Sequence, residues 1–256
     1  MNRILIEACC GSAEDVVRAA KGGADRAELN SCLALGGLTP TLGTLEEAKD
    51  RTNIPVMAML RPRGGGFDYS ETDFSSLLRD GRELLSHGAD GLVFGFLLSD
   101  GTVDENRVKR LVELAGERDT VFSRAIDVTP DWKRALDALI RNGVKRVLTS
   151  GQRRDAFSGR NVIREMIAFA GNSIRILPGC GIREENVLEL ISATGAREIH
   201  LSGKHIEVSD FSACSNPEVR FGLNGTGEDR YDVIDPEYFV RVRARAEGTE
   251  ATECSD

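Results

Sequence analysis

Apolar positions along the chain fall into short, nearly continuous runs. Between them lie longer stretches in which apolar residues return every three or four positions. The short runs read as strands buried on both faces, and the periodic stretches as amphipathic helices packed against them. One pattern recurs and sets the frame. Gly23-Ala24-Asp25-Arg26-Ala27-Glu28-Leu29 resembles Gly88-Ala89-Asp90-Gly91-Leu92-Val93-Phe94. Gly143-Val144-Lys145-Arg146-Val147-Leu148-Thr149 and Gly195-Ala196-Arg197-Glu198-Ile199-His200-Leu201 complete the series. Each copy reads as a helix-stopping glycine, a short loop and a buried strand. A further strand is expected between copies, at Pro55–Leu60, Thr120–Ser123 and Ser173–Leu177, with Ile4–Ala8 ahead of the first.

Helix signals follow every strand. Ser12 caps a run that ends at Gly22-Gly23, and Thr44-Leu45-Glu46-Glu47 has the form of a capping box. Helical patterns over Thr72–His87, Asp104–Ala115, Trp132–Asn142, Arg160–Ala170, Glu184–Thr194 and Pro236–Glu247 each stop at a glycine. Eight βα units in 256 residues predict a single-domain (β/α)₈ TIM barrel over residues 1–248, with a polar tail at 249–256 expected to be disordered. An open doubly wound sheet is the alternative, but it needs a switch point that the even repeat does not show. Ser202–Asp235 is the longest stretch without helical pattern, and a loop of that length is expected to be functional or mobile.

Composition narrows the partners. Lys+Arg 33 against Asp+Glu 41 gives a net charge of −8, without the basic footprint that nucleic acid or an anionic membrane surface requires. No apolar run is long enough to span a bilayer, and charge at Arg3 and Glu7 interrupts any signal peptide. A cytoplasmic protein is expected. The cysteines, at 9, 10, 32, 180, 214 and 254, show no CxxC and no zinc-finger spacing, so reduced thiols are expected. Three histidines exclude a His-rich metal site. No organic cofactor is expected.

In such barrels the chemistry sits at the C-terminal ends of the strands. Those ends read as polar and the strand starts as apolar. Glu7, Glu28, Asp127 and His200 are candidates for carboxylate–histidine proton transfer, or for ligands of a divalent metal. Arg61, Arg63 and Arg124 suit a small anionic molecule. Thr149, Ser150, Gly179, Gly181 and Ser202, with Gly203, line the ends of the sixth to eighth strands, where glycines allow backbone N–H groups to approach a phosphate. Gly64-Gly65-Gly66, after Arg61-Pro62-Arg63, would permit a mobile flap. Blander readings stay open: an ion-pair ring closing the barrel, a buried neutral histidine, glycines at plain turns. No lysine ends a strand, which disfavours a Schiff-base aldolase, though Lys204 close to a strand end keeps it open, and no GxSxG is present.

Together these segments resemble the copper homeostasis protein CutC family. The resemblance is carried by Ile6-Glu7-Ala8-Cys9, Gly23–Leu29, Gly36-Gly37-Leu38-Thr39-Pro40, Ile54-Pro55-Val56, Arg61-Pro62-Arg63-Gly64-Gly65, Gly88-Ala89-Asp90-Gly91, Arg124-Ala125-Ile126-Asp127, Leu148–Gln152 and Pro178–Ile182. It implies a cytosolic (β/α)₈ barrel, commonly a homo-oligomer, with a role in copper homeostasis through copper(I). Copper(I) favours thiolates, and the family site uses one cysteine after each of the first two strands. Cys9 matches the first position. Asn30 stands at the second, with Cys32 two residues later, so Cys9 and Cys32 are the expected metal pair. Cys10 should point the other way, since strand neighbours alternate sides. The alternative is an enzyme of isomerase or lyase type, acting by proton transfer on a sugar or sugar-phosphate-like anion.

Overall fold

The computed structural model describes residues 3–208, 218 and 230–248. The chain alternates strand and helix: β1 (Leu5–Cys10), α1 (Ala13–Lys21), β2 (Arg26–Leu29), α2 (Leu42–Arg51), β3 (Val56–Met59), α3 (Glu71–Ser86), β4 (Gly91–Phe94), α4 (Glu105–Ala115), β5 (Asp119–Phe122), α5 (Trp132–Arg141), β6 (Arg146–Thr149), α6 (Arg160–Ala170), β7 (Arg175–Pro178), α7 (Val187–Thr194) and β8 (Glu198–Leu201). A short antiparallel pair, β9 (Lys204–Val208) and β10 (Arg230–Ile234), then precedes α8 (Pro236–Glu247).

The first eight strands are parallel, in the order β7-β6-β5-β4-β3-β2-β1-β8. They run in sequence order with β8 returning beside β1, and Gly179, just past β7, bridges to His200 of β8. This is the (β/α)₈ barrel, and the open doubly wound sheet is excluded. The closing seam requires glycine. A Cβ on Gly179 would lie 2.6 Å from Leu148 Cδ1 and 3.2 Å from His200 Cβ.

Strand alternation sorts the side chains. Ile6, Ala8, Cys10, Ala27, Leu29, Ala58, Phe94, Phe122, Val147 and Ile199 face outward into the core shared with the helices. Cys10 thus points away from the barrel interior, where burial pushes its thiol pKa up. Met57, Met59, Val93, Val121, Leu148 and Leu177 form a separate apolar cluster, contributed by β3 to β7. Strands β8, β1 and β2 carry polar residues in its place.

Several expected boundaries shift for local reasons. Helix α2 begins at Leu42 with Thr41 as its cap, accepting from Thr44 N at 3.3 Å, so Thr44 lies inside the helix. The capping box belongs to α3 instead, between Ser70 and Asp73. The fifth strand stops at Phe122, and Arg124–Val128 coils into a 3₁₀ turn. Helix α7 starts at Val187, because Arg183–Asn186 forms a turn in which Asn186 Oδ1 accepts from Arg183 N at 2.8 Å. The expected loop at Ser202–Asp235 contains β9 and β10. Asp15 of α1 holds them in place, accepting from Ile234 N at 2.9 Å and pairing with Lys204 at 3.3 Å. The rest of that stretch, apart from residue 218, lies outside the described residues, as does the tail at 249–256.

Candidate functional site

Three adjacent strands each point two polar residues inward, two positions apart: Glu7 and Cys9 on β1, Arg26 and Glu28 on β2, Glu198 and His200 on β8. Strand register places Glu7 beside both Arg26 and His200, and Cys9 beside Glu28. Toward the strand starts, the side chains form a buried ion network. Glu198 accepts from Arg26 Nη2 at 2.8 Å and from Arg146 Nε at 3.0 Å, and Arg146 reaches Asp119 at 3.2 Å. Arg26 Nε also pairs with Glu7. The strand starts are therefore charged on this side, not apolar as the sequence suggested. Arg146 is 1% exposed, and a buried guanidinium persists only where carboxylates surround it.

Glu7 links this network to the mouth. Its second oxygen accepts from His200 Nδ1 at 2.9 Å. That bond fixes the imidazole and aims Nε2 toward the mouth, 3.9 Å from Glu28 Oε2. Cys9 Sγ lies 3.9 Å from the same oxygen. Ligand-capable atoms of Cys9, Glu28 and His200 all fall within 4.8 Å of one another. Asn30 Nδ2 donates to Glu28 Oε2 at 2.9 Å, while Glu28 Oε1 is buried with no hydrogen-bond partner among the described residues.

The electrostatics are ordered by these contacts. Burial alone would raise the Glu7 pKa, but Arg26 and the His200 bond bring it down to about 2. Burial works against the His200 cation, yet the Glu28 charge and the bonds from Cys9 and Glu7 hold its pKa well above the usual 6.5. Burial, reinforced by the nearby Glu7 charge, raises Glu28 despite the His200 cation. His200 therefore sits between a carboxylate held ionised and one that takes up a proton more readily.

Cys9, Glu28 and His200 line a cavity of 780 Å³ at the barrel mouth, whose walls include Arg61, Arg124, Arg183, Lys204 and Tyr238. Gly181 and Ser202 line it too. Other sequence candidates lie elsewhere. Glu7 stands behind His200 and is 1% exposed. Asp127, expected as a catalytic carboxylate at the mouth, is a clasp: it accepts from Thr149 Oγ1 at 2.5 Å, Ser150 N at 2.8 Å, Arg124 Nε at 3.0 Å and Gln152 N at 3.1 Å. Thr149 and Ser150 are fully buried in that clasp. Arg124 borders the cavity while bonded to Asp127 and to Ser150 Oγ at 2.7 Å. Gly179 serves the barrel seam.

The two loop arginines divide. Arg61 lines the cavity, with its Nη atoms donating to the Leu35, Gly37 and Gly65 carbonyls. Arg63 points away, donating to Asp68 O at 2.8 Å and stacking over Tyr69. Of the expected Cys9–Cys32 pair, the ligand cluster takes in Cys9 only. Cys32 is exposed on a left-handed turn, φ 46°, outside the Cys9–Glu28–His200 cluster. The chain turns away after Asn30, where Ser31 bridges to Leu38. Sequence reading missed Arg26, Asp119, Arg146 and Glu198 as neighbours of the site. The signal for Arg26 and Glu198 was the alternation itself: each lies two residues before a mouth residue on the same strand.

The profile of the CutC family matches residues 4–205. A family protein CutC from Treponema denticola is 50% identical over 223 residues, 87% of this chain and 90% of that one. The copper homeostasis protein cutC homolog of Homo sapiens is 40% identical over 203 residues, 79% of this chain and 74% of that one. Among solved structures, the copper homeostasis protein CutC from Streptococcus agalactiae superposes with a TM-score of 0.74 at 31% identity, covering 78% of this chain and 98% of that one. N-(5'-phosphoribosyl)anthranilate isomerase from Pyrococcus furiosus, at 12% identity and a TM-score of 0.56 over 96% of this chain and all of that one, shares the fold alone. The matched segment runs from the start of β1 into β9 and so contains every strand that builds the mouth; the chain belongs to the CutC family.

Proposed function

We propose that this protein acts in copper homeostasis by taking up copper(I) as cargo at Cys9 and His200. The observation that carries the reading is the cluster of thiol, imidazole and carboxylate atoms within 4.8 Å at the floor of the mouth. Thiolate and imidazole both suit copper(I), whereas a carboxylate oxygen is a poorer donor for it. Glu28 then acts mainly as a neighbouring charge. The bond from His200 Nδ1 to Glu7 orients the ring so that Nε2, on giving up its proton, faces the cluster, a common support for a metal-bound histidine. The names of the human and streptococcal relatives point to copper rather than another soft metal.

The test is a competition titration of the fully reduced protein with a chromogenic copper(I) chelator. One equivalent is expected to bind, with loss in Cys9→Ser and weakening in His200→Asn, while Cys32→Ser binds as the parent does. Unchanged binding in Cys9→Ser would overturn the reading.

One observation favours a second reading. The cavity is far larger than an ion requires, and its floor sets a carboxylate 3.9 Å from an imidazole nitrogen. That pair suits proton transfer on a small anionic substrate. Glu28→Gln should then abolish turnover while leaving the fold intact, and a Glu28→Gln protein with full turnover would remove this reading.

A further inference from the structure

The cavity walls and the cavity floor ask for different halves of one molecule. Arg124 and Lys204 have carboxylate partners in Asp127 and Asp15. Arg61 and Arg183 have none among the described residues: Arg61 is held by carbonyl oxygens, and Arg183 is exposed at the rim. Two guanidiniums without carboxylate partners therefore border one cavity. An arginine in that position recruits a carboxylate or phosphate oxygen.

The floor is incomplete in a complementary way. Glu28 is 3% exposed, yet its Oε1 has no partner among the described residues. An unpaired buried carboxylate oxygen is costly, and a ligand O–H would satisfy it. His200 Nε2 faces the same space, and with Nδ1 bonded to Glu7 it can hydrogen-bond to a ligand hydroxyl. A volume of 780 Å³ lies within the range of sites for small organic molecules.

We infer that the mouth binds a small hydroxylated organic anion, its charged group between Arg183 and Arg61 and its hydroxyl end on Glu28 and His200. The inference rests on the cavity of the second reading but needs neither copper nor turnover. Two ligand sources share this chemistry, a sugar phosphate and a sugar acid.

Isothermal titration of the metal-free, reduced protein, with a copper chelator present, uses four probes: ribose 5-phosphate, gluconate, ribose and inorganic phosphate. At least one of the two hydroxylated anions should bind saturably. Ribose and phosphate alone should bind at least about tenfold more weakly, since each lacks half of the contacts. Arg183→Gln, at an exposed site where folding is not at risk, and Glu28→Gln should each weaken binding by about tenfold. Because the protein is metal-free and the chelator is present, this result is separated from failure of the copper reading. Binding of ribose 5-phosphate alone assigns the phosphate class, and of gluconate alone the carboxylate class, and either supports the inference. Binding without turnover also supports it. No saturable binding of either anion, binding unchanged in Arg183→Gln, or inorganic phosphate binding as tightly as ribose 5-phosphate would each overturn it.

Discussion

Glu7 carries two opposite duties through its two oxygens, anchoring Arg26 on one side and orienting His200 on the other. Removing its charge leaves Arg26 with Glu198 alone and frees the imidazole to rotate. Glu7→Gln should therefore cost about 3 kcal/mol in urea unfolding, the scale seen when one member of a buried ion network is deleted. The pH dependence has a defined sign. With a folded pKa of about 2 against an ordinary 4.5, Glu7 binds its proton more readily in the unfolded chain. Its stabilisation is complete above about pH 4.5 and is lost as pH falls toward 2. Acid titrations of the parent and Glu7→Gln should converge across that window, and parallel curves would show that Glu7 is not held ionised. Asp127 offers a contrast. Its bonds are spent on Arg124, Thr149, Ser150 and Gln152, so Asp127→Asn should lower stability by about 2 kcal/mol and leave copper(I) affinity as it was. Both residues are carboxylates near strand ends, and the sequence gives no way to tell them apart. The contacts that separate them come from other strands.

At the level of elements, much of the barrel is legible because each strand and each helix stop carries its own local signal. The repeat beginning at Gly23, Gly88, Gly143 and Gly195 marks β2, β4, β6 and β8 directly. What local pattern does not reveal is pairing across the chain. Arg26, Arg146 and Glu198 look like errors in apolar strands until closure of the barrel brings β2, β6 and β8 together across its interior. Asn30 shows the same limit. Its amide lies 4.0 Å from Cys9 Sγ and 2.9 Å from Glu28, at the position where the family resemblance implies a thiol. Asn30→Cys should place a second soft donor beside Cys9 and raise copper(I) affinity by about tenfold or more in the chelator competition. An unchanged affinity would mean that β2 does not direct this position at the bound ion. The seam between β7 and β8 is set by a glycine read from sequence as part of a phosphate cradle. Gly179→Ala forces a methyl group against Leu148 and His200, and should cost about 1–3 kcal/mol through overpacking.

Across the whole molecule, the barrel interior is divided. Strands β3 to β7 contribute the apolar cluster of Met57, Met59, Val93, Val121, Leu148 and Leu177, while β8, β1 and β2, joined by Arg146 of β6 and Asp119 of β5, contribute charge. The apolar half provides hydrophobic burial. The charged half gains less from burial, because desolvating ions offsets much of their attraction. Its arrangement is understandable as the support of a site: Asp119, Arg146, Glu198, Arg26 and Glu7 form one chain of contacts ending at His200. A ligand at His200 should then stabilise the entire barrel, because the interior unfolds with its site. Copper(I) at about a hundredfold excess over its dissociation constant adds about 2.7 kcal/mol to a folded state that alone binds it. For a domain of this size that corresponds to a rise of about 5–10 °C in the melting temperature. The six cysteines of the unfolded chain compete for the ion, so the observed rise should fall below that range. Thermal melts of the parent and Cys9→Ser, each with and without copper(I), isolate the folded-state part. The parent should gain several degrees more than Cys9→Ser, and equal gains would place the bound copper on thiols away from the mouth.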